Sequence, residues 1–244
     1  MTPESLLILI LAVAVVALLY SCVGHAGASG YIAAMVLAGV SAATIRPTAL
    51  ALNIFVACIG AFQFWRAGHF SWRLFWPFAA LSFPLAFLGG RISLPAHWLK
   101  VLLGLTLLYS ALRFFIQPKE ETEIREPSPA AALGVGAGLG LLSGLTGTGG
   151  GIFLTPLMIF MRWGKTKAVA AVSAMFILLN SISGLLGVLS SGQALPPLAW
   201  KLLPAAILGG AIGSYLGSRR FSSTVIKRIL SAVLLLAAYK LIFQ

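Results

Sequence analysis

The sequence predicts an all-α polytopic membrane protein, and three observations lead to this fold class. The 244 residues are 59% hydrophobic and only 9% charged, whereas soluble domains carry roughly 25% charged residues. The mean hydropathy of the chain is +1.00. Apolar runs of helical length recur along the whole sequence, and about 20 such residues let a helix cross a hydrocarbon core of about 30 Å. Lipid is therefore the expected solvent.

Ten apolar segments can be marked, and each is predicted to be helical. The second and the seventh are short and follow glycine-rich stretches. The run from Leu6 to Tyr20 is preceded by Glu4 and by no basic residue, so we interpret it as a first transmembrane helix and not as a signal peptide. The segments cover approximately 5–23, 30–45, 47–65, 74–90, 98–116, 130–146, 150–162, 168–189, 198–217 and 225–243.

A polar stretch from Gln117 to Pro129 divides the chain into two related halves. Its charge and its three prolines are typical of a solvated connector. We expect a first repeat over 1–117, a connector over 118–129 and a second repeat over 130–244. The halves match at an offset of 127 residues near their ends and of 120 near their starts. Matching pairs are Pro77 with Pro204, Gly90 with Gly217, Lys100 with Lys227, Gly27 with Gly147, Gly30 with Gly150, and Asn53 with Ser173.

Five segments in each half would place the halves upside down relative to each other, as in inverted-repeat transporters. With ten spans, 12 of the 17 basic residues fall on one side, against 10 if the second and seventh segments were re-entrant. Basic residues accumulate on the cytoplasmic side of a membrane protein. The charge count therefore favours ten spans and two inverted five-segment repeats, with both termini outside. The basic residues on the other side are Arg46, Arg91, Lys100, Lys201 and Lys240.

The charge pattern argues against several functions. A net charge of +12 would suggest nucleic-acid binding in a soluble protein, but here the basic residues lie between apolar segments, as topology signals and lipid contacts. No carboxylate lies within an apolar segment, although proton- and sodium-coupled carriers often use one. Cys22 and Cys58 have neither CxxC spacing nor a nearby histidine cluster. We therefore expect no nucleic acid, disulfide, metal or cofactor.

Two glycine-rich stretches are the most informative motifs. SGLTGTGGGIFLTPL runs from Ser143 to Leu157, and its partner SCVGHAGASGY runs from Ser21 to Tyr31. Glycine allows the backbone to unwind, and a helix that starts there directs unpaired N–H groups and its positive dipole end at an anion. The alternative is close helix packing through small residues. The density of the glycines and the paired stretches favour broken helices with a binding site, and no Gly-Lys-Ser pattern indicates a nucleotide loop.

These stretches and the helices after them supply the predicted substrate-binding residues, without a catalytic group. His25 is the one histidine deep in an apolar region, where it either couples proton to anion movement or stays neutral and bonds unwound backbone. Hydroxyls can donate to an oxyanion, although in membrane helices they often bond their own backbone. Asn53 and Ser173 are polar positions on the following helices. The predicted set is His25, Gly27, Ser29, Gly30, Asn53, Thr146, Thr148, Gly149, Gly150, Gly151 and Ser173.

The run GLTGTGGGIFLTPL, followed by a basic loop and AVAAVSAMFILLNSISGLLG, resembles the TauE/SafE (TSUP) family of membrane permeases. The resemblance covers nearly the whole chain and its two-half layout. The first-half stretch GHAGASGYIAAMVL departs from the pattern, since it lacks the full glycine run and the proline that matches Pro156. The resemblance implies export of sulfite or transport of another small organosulfur anion, whereas the residues alone indicate only a small anion.

We therefore predict a secondary transporter of a small anion that works by alternating access in the bacterial cell (inner) membrane. Its expected partners are the anion and the lipid bilayer. An anion channel and a non-transporting membrane scaffold are the alternatives. An enzyme is disfavoured because acid–base groups and metal ligands are not gathered at one place. The substrate, the coupling ion, the direction and the oligomeric state, including a homo-oligomer, stay open.

Overall fold

The structure, a computed structural model, describes residues 2–92 and 124–222, together with residues 224, 225, 228, 229 and 232. Eight α-helices lie in this part of the chain, in two sets of four with nearly equal lengths. The first set is α1 (Pro3–Ser21), α2 (Ala28–Leu37), α3 (Ala42–Arg66) and α4 (Trp72–Arg91). The second set is α5 (Pro129–Thr146), α6 (Gly151–Phe160), α7 (Thr166–Ser190) and α8 (Pro197–Tyr215), which continues into a π-helical turn, Leu216–Arg220.

Six of these helices are long and apolar enough to cross a membrane, namely α1, α3, α4, α5, α7 and α8. The all-α class and the helical interpretation of the N-terminal run are thereby confirmed. The two short helices, α2 and α6, have 10 residues each, which extend only about 15 Å, half of a hydrocarbon core. Ten full spans are therefore not confirmed. The predicted segments at 98–116 and, for the most part, 225–243 lie outside the described residues.

The helices fall into two groups according to whether a side chain caps their N-terminus. The side-chain oxygens of Thr2, Ser71 and Ser128 accept N–H bonds at the starts of α1, α4 and α5, as N-cap residues commonly do. In contrast, the N-cap residues of α2 and α6 are Gly27 and Gly150, which have no side chain to donate or accept. The first-turn N–H groups of the two short helices are thus left without a side-chain cap at this position.

Residues with positive φ repeat in the two halves at an offset of 123 or 124. This register differs from the predicted offset of 120, because glycine-rich stretches match each other at several registers whereas the N-caps of α2 and α6 match at only one. Gly149 is the described left-handed residue without such a counterpart, since Ala26 stands in its place. The pairs are Gly24 with Gly147, Gly27 with Gly150, Gly39 with Arg162, and Gly68 with Gly192.

The new register also changes one predicted equivalence. The two 25-residue helices α3 and α7 begin at Ala42 and Thr166, which are 124 positions apart. Asn53 therefore corresponds to Ile177, and its predicted equivalence with Ser173 is wrong. Both Asn53 and Ser173 are nevertheless fully buried, so any shared role must come from tertiary contacts and not from symmetry.

The two long helices α3 and α7 pack against each other in antiparallel directions. Leu50 lies near Gly184, Asn53 bonds to Ser181, and Gly60 lies near Ala174, so numbers rise along α3 as they fall along α7. In addition, α1 packs along α8, and α4 packs along α5 and α7. Two large apolar clusters fill the interior: one draws mainly on α1, α2, α3 and α8, the other mainly on α4 to α7. A third, small cluster joins Phe64 of α3 to Ala170 and Ala171 of α7.

We expect Gly140→Ala to destabilise the α4–α5 pair, because the added methyl group would lie 2.4 Å from the carbonyl oxygen of Ser82. Overpacking of this kind costs about 1–3 kcal/mol. Gly138→Ala is the matched control, since nothing lies within 4 Å of its methyl group and alanine favours helix by about 1 kcal/mol. Thermal unfolding in detergent should give a lower Tm for Gly140→Ala alone; equal Tm values would contradict this packing.

Candidate functional site

Two buried loops converge on the crossing of α3 and α7. The first loop, 22–27, joins α1 to α2, and the second loop, 147–150, joins α5 to α6; all of their residues are buried. A methyl group on Gly24 would lie 2.2 Å from the carbonyl oxygen of Ala170, and one on Gly149 would lie 2.7 Å from Ile177. Non-helical backbone at membrane depth is tolerated when protein surrounds it. Here the first loop lies against α7, and the second loop lies against α7 and, through Gly147, against α3.

Both short helices begin their hydrogen bonding at the last glycine of the loop. The Gly27 carbonyl accepts the N–H of Tyr31 at 2.9 Å, and the Gly150 carbonyl accepts the N–H groups of Phe153 and Leu154 at 3.1 Å each. The first-turn N–H groups consequently point back toward the loops, where the positive end of each helix dipole lies. This is the geometry that binds anions at helix N-termini.

The remaining glycine of the predicted set, Gly151, opens α6 and packs closely on α7. A methyl group there would lie 2.3 Å from Ile177 and 3.4 Å from the carbonyl oxygen of Ser173. The second loop and the start of α6 are therefore seated on the middle of α7. Only residues without a side chain fit at this distance, so the close approach itself accounts for part of the glycine run.

Asn53 connects α3 to the second loop. Its Nδ2 group donates to the carbonyl oxygen of Thr148 at 3.3 Å and to Ser181 Oγ at 3.4 Å. The side chain is fully buried, yet its Oδ1 atom has no hydrogen-bond partner within the protein. Buried polar atoms are usually paired and are costly when they are not. Asn53 therefore offers an acceptor to a water molecule or to a ligand that carries a hydrogen.

His25 reaches from the first loop into the second half. Its Nε2 atom lies 2.7 Å from Thr155 Oγ1, whose hydroxyl donates to Ser173 Oγ at 2.6 Å. Because the Thr155 hydrogen points to Ser173, Nε2 of His25 is the donor in the first of these bonds. The Nδ1 atom of the same buried ring has no partner. In the neutral ring Nδ1 carries a lone pair, so it is the atom that can take up a proton.

Other predicted hydroxyls bond within their own surroundings. Thr146 and Thr148 are joined through their Oγ1 atoms at 2.7 Å, and the Thr148 N–H donates to Thr146 Oγ1 at 3.1 Å. Ser29 donates to the Tyr20 phenolic oxygen at 3.0 Å, and Gly30 packs on α1. Ser29 and Gly30 thus contact α1 and are not brought to the α3–α7 crossing, whereas Thr148 reaches it through its carbonyl oxygen.

Sequence reasoning missed Thr155 and Ser181, which complete the two polar contacts. Thr155 lies four residues after Gly151, and a helix brings residues at this spacing onto one face. That spacing was a usable signal for Thr155. Ser181 has no comparable signal, because its position beside Asn53 depends on how α3 and α7 cross.

Arg46 is a third residue that sequence reasoning missed. It had been assigned to a loop, but it lies in the first turns of α3, and its side chain packs beside Gly147. Its guanidinium donates to the carbonyl oxygens of Gly89, Gly90 and Ile92 at 2.7, 2.6 and 3.0 Å. Arg46 therefore binds the carbonyl end of α4, where a cation is favoured by the helix dipole.

The fold and the site together define a polytopic membrane protein with a buried polar centre. The buried polar side chains of the described residues belong to Ser, Thr, Asn and His, with no carboxylate among them. In the same part of the chain, no group of three or more His, Cys, Asp and Glu side chains could hold a metal ion. The described part of the centre therefore holds no negatively charged side chain, and the cationic Arg46 lies beside its second loop.

The chain belongs to the family described as "Sulfite exporter TauE/SafE", whose model matches residues 9–241. It is 44% identical over 235 residues to "Probable membrane transporter protein y4hK" of Sinorhizobium fredii, covering 94% of this chain and 95% of the relative. It is 32% identical over 106 residues to "Probable membrane transporter protein YunE" of Bacillus subtilis, covering 43% and 38% respectively. No solved structure matches the chain.

We expect Thr155→Val to lower the free energy of unfolding by about 1–3 kcal/mol, since it leaves His25 Nε2 and Ser173 Oγ without their partner. Thr44→Val is the matched control, because the Thr44 hydroxyl bonds to Ser41 at an exposed site and surface changes stay within about 0.5 kcal/mol. Denaturant unfolding in detergent micelles measures both. Equal losses in the two variants would show that the His25–Thr155–Ser173 contacts do not form.

Proposed function

We propose that this protein is a secondary transporter of a small anion, and that it exports sulfite or an organosulfur anion. The observation that carries the proposal is the pair of short buried helices, α2 and α6, whose glycine N-caps leave their first turns open toward the α3–α7 crossing. Family membership supports it, since the family is described by sulfite export. The full-length relative is likewise named a probable membrane transporter.

A small anion suits this centre better than a cation does. Sulfite and sulfonates present oxygen acceptors, and the loops offer backbone N–H donors in surroundings where hydrogen bonds are strong. Hard cations prefer carboxylate and carbonyl oxygens, but no carboxylate is buried in the described part of the chain.

We also propose that the two halves are inverted relative to each other. The equivalent helices α3 and α7 run antiparallel, which is the arrangement expected of inverted repeats. The cytoplasmic assignment follows from charge, because one end of the α3–α7 pair carries the greater number of basic residues. That end includes Arg66, Arg73, Arg162, Lys165, Lys167, Arg219 and Arg220, whereas the other end includes Arg46, Arg91 and Lys201.

Gly68→Cys and Gly192→Cys test this topology, because the two glycines occupy equivalent loops with open space around them. In a background with Cys22 and Cys58 changed to Ala, we expect an impermeant maleimide added to intact cells to label Gly192→Cys and not Gly68→Cys. Inside-out vesicles should give the reverse. Labelling of both positions from the same side would rule out inverted halves, and labelling with the two sides exchanged would reverse the assigned orientation.

The transport proposal itself is tested with purified protein in liposomes. We expect saturable uptake of radiolabelled sulfite that speeds up when unlabelled anion is present on the other side of the membrane. Such counter-transport distinguishes a carrier from a channel. Absence of flux for sulfite and for the other small anions tried, including a sulfonate, would refute the proposal.

Gly149→Ala should abolish this flux, because the added methyl group would lie 2.7 Å from Ile177 and 2.9 Å from Asn53 Nδ2, at a backbone φ of 77°. Gly134→Ala is the matched control, with nothing within 4 Å of its methyl group. Size-exclusion profiles and Tm values verify that both variants fold. A folded Gly149→Ala protein with unchanged flux would favour a role of this glycine in packing alone.

A further inference from the structure

We propose that the units that move against each other during transport are not the two sequence halves. They are two bodies of mixed origin: a first body made of α1, α2, α3 and α8, and a second body made of α4, α5, α6 and α7. In this division the halves exchange their fourth described helices, α4 and α8. The inference rests on the transport function proposed above, and it identifies which surfaces separate in the cycle.

The two large apolar clusters follow the two bodies and not the two halves. One cluster takes 14 of its 15 buried residues from the first body, with Ile177 as the exception. The other takes 13 of its 15 from the second body, with Tyr20 and Val23 as the exceptions. Each body therefore has a core of its own, and close-packed cores resist internal rearrangement.

Backbone contacts of α8 fix it to α1. Methyl groups on Gly209, Gly213 and Gly217 would lie 2.2, 2.1 and 2.1 Å from carbonyl oxygens of α1 and of the residue after it. These glycines recur every four residues, so they form one face along which two helices meet without intervening side chains. A helix pair that touches backbone to backbone along its length cannot slide or separate without losing the whole face.

The same arrangement fixes α4 within the second body. Methyl groups on Gly136, Gly140 and Gly144 of α5 would lie 2.1, 2.4 and 2.1 Å from carbonyl oxygens of α4, and one on Gly187 of α7 would lie 2.2 Å from the Phe87 carbonyl. The second body is further joined by hydrogen bonds of α4 with α7, from Ser82 to Asn180 Oδ1 at 2.6 Å and from Ser183 to the Phe83 carbonyl.

Along the α3–α7 crossing the bodies meet mainly through side chains, including the bond between His25 Nε2 and Thr155 Oγ1 at 2.7 Å and a small apolar cluster of Phe64, Ala170 and Ala171. A methyl group on Gly60 would lie 3.9 Å from the Ala174 Cβ atom, an ordinary van der Waals distance, and Gly184 and Leu50 are separated by a similar space. The Asn53 bonds at this surface are long, at 3.3 and 3.4 Å. Side chains, and not backbone faces, thus fill most of this surface.

Two tight contacts close the ends of the crossing. At one end the first loop touches the start of α7, through Gly24 and Ala170; at the other the second loop touches the start of α3, through Gly147 and Arg46. These two contacts are equivalent under the 123–124 offset. Each of them joins one body to the other. In the cycle, each end opens in turn while the other stays closed. The glycine-rich loops are thereby exposed first to one side of the membrane and then to the other.

Paired cysteines at Gly60 test the division, since Gly60 faces both bodies. A Cβ at position 60 would lie 3.9 Å from the Cβ of Ala174 in the second body and 3.9 Å from that of Ser214 in the first. Both distances suit a disulfide. Gly60→Cys with Ala174→Cys therefore crosslinks the bodies, whereas Gly60→Cys with Ser214→Cys crosslinks α3 to α8 within one body and is the matched control.

Both pairs are built in a Cys22→Ala, Cys58→Ala background and oxidised in detergent, and loss of maleimide labelling verifies each disulfide. Oxidised and reduced samples are then reconstituted separately for sulfite flux. We expect the oxidised 60–174 pair to lose its flux, its reduced form to keep it, and the 60–214 pair to keep flux in both forms.

Flux through the oxidised 60–174 pair, or equal loss in the oxidised 60–214 pair, would overturn the division into these bodies while leaving transport intact. If the cysteine-free parent and the reduced samples move no small anion, the transport function fails, and the two-body assignment falls with it. The parent sample thus distinguishes the two failures.

Discussion

Backbone polar groups need partners inside the protein wherever a chain leaves the helical conformation within hydrocarbon. Loops 22–27 and 147–150 both interrupt apolar helices, and both are completely buried within the protein. Each is enclosed because a long helix lies directly on it: α7 on Gly24, and α3 on Gly147. The antiparallel crossing of α3 and α7 is therefore required by the broken helices, and it also determines which residues meet at the centre.

The same requirement sets the electrostatic character of the centre. His25, Asn53, Thr155 and Ser173 supply neutral polar groups, each buried and each bonded to an element distant in sequence or to the next in a chain of hydrogen bonds. No carboxylate is buried beside them in the described residues, the positive ends of the α2 and α6 dipoles lie at the loops, and the cationic Arg46 packs beside Gly147. A site of this kind selects by sign of charge before it selects by shape, which agrees with an anionic cargo.

Local properties of the sequence predicted the fold class and the long helices, because hydropathy and length are sufficient for them. The repeat register near the starts of the halves was wrong by three or four residues, since glycine composition alone cannot choose among neighbouring alignments in a run such as Gly149 to Gly151. Ser29 was placed at the site by proximity in sequence, but the turn of α2 directs it to Tyr20. Ser181 and Arg46 were missed because helix crossings that no local pattern encodes bring them to the loops.

The pseudo-symmetry of the two halves fails at Arg46 and Ala170, so the contacts at the two ends of the α3–α7 crossing differ in strength. Arg46 makes three hydrogen bonds to the carbonyl end of α4, while its equivalent, Ala170, has only a methyl side chain and meets Gly24 through its backbone. Hydrogen bonds to charged groups contribute about 1.5–3 kcal/mol each, and about 1.4 kcal/mol changes a population tenfold. In the proposed cycle the Arg46 end therefore stays closed more readily than the Gly24 end. In the proposed topology the Gly24 end, which carries more basic residues, is cytoplasmic; the favoured opening is then toward the cytoplasm, where the proposed exporter loads its anion.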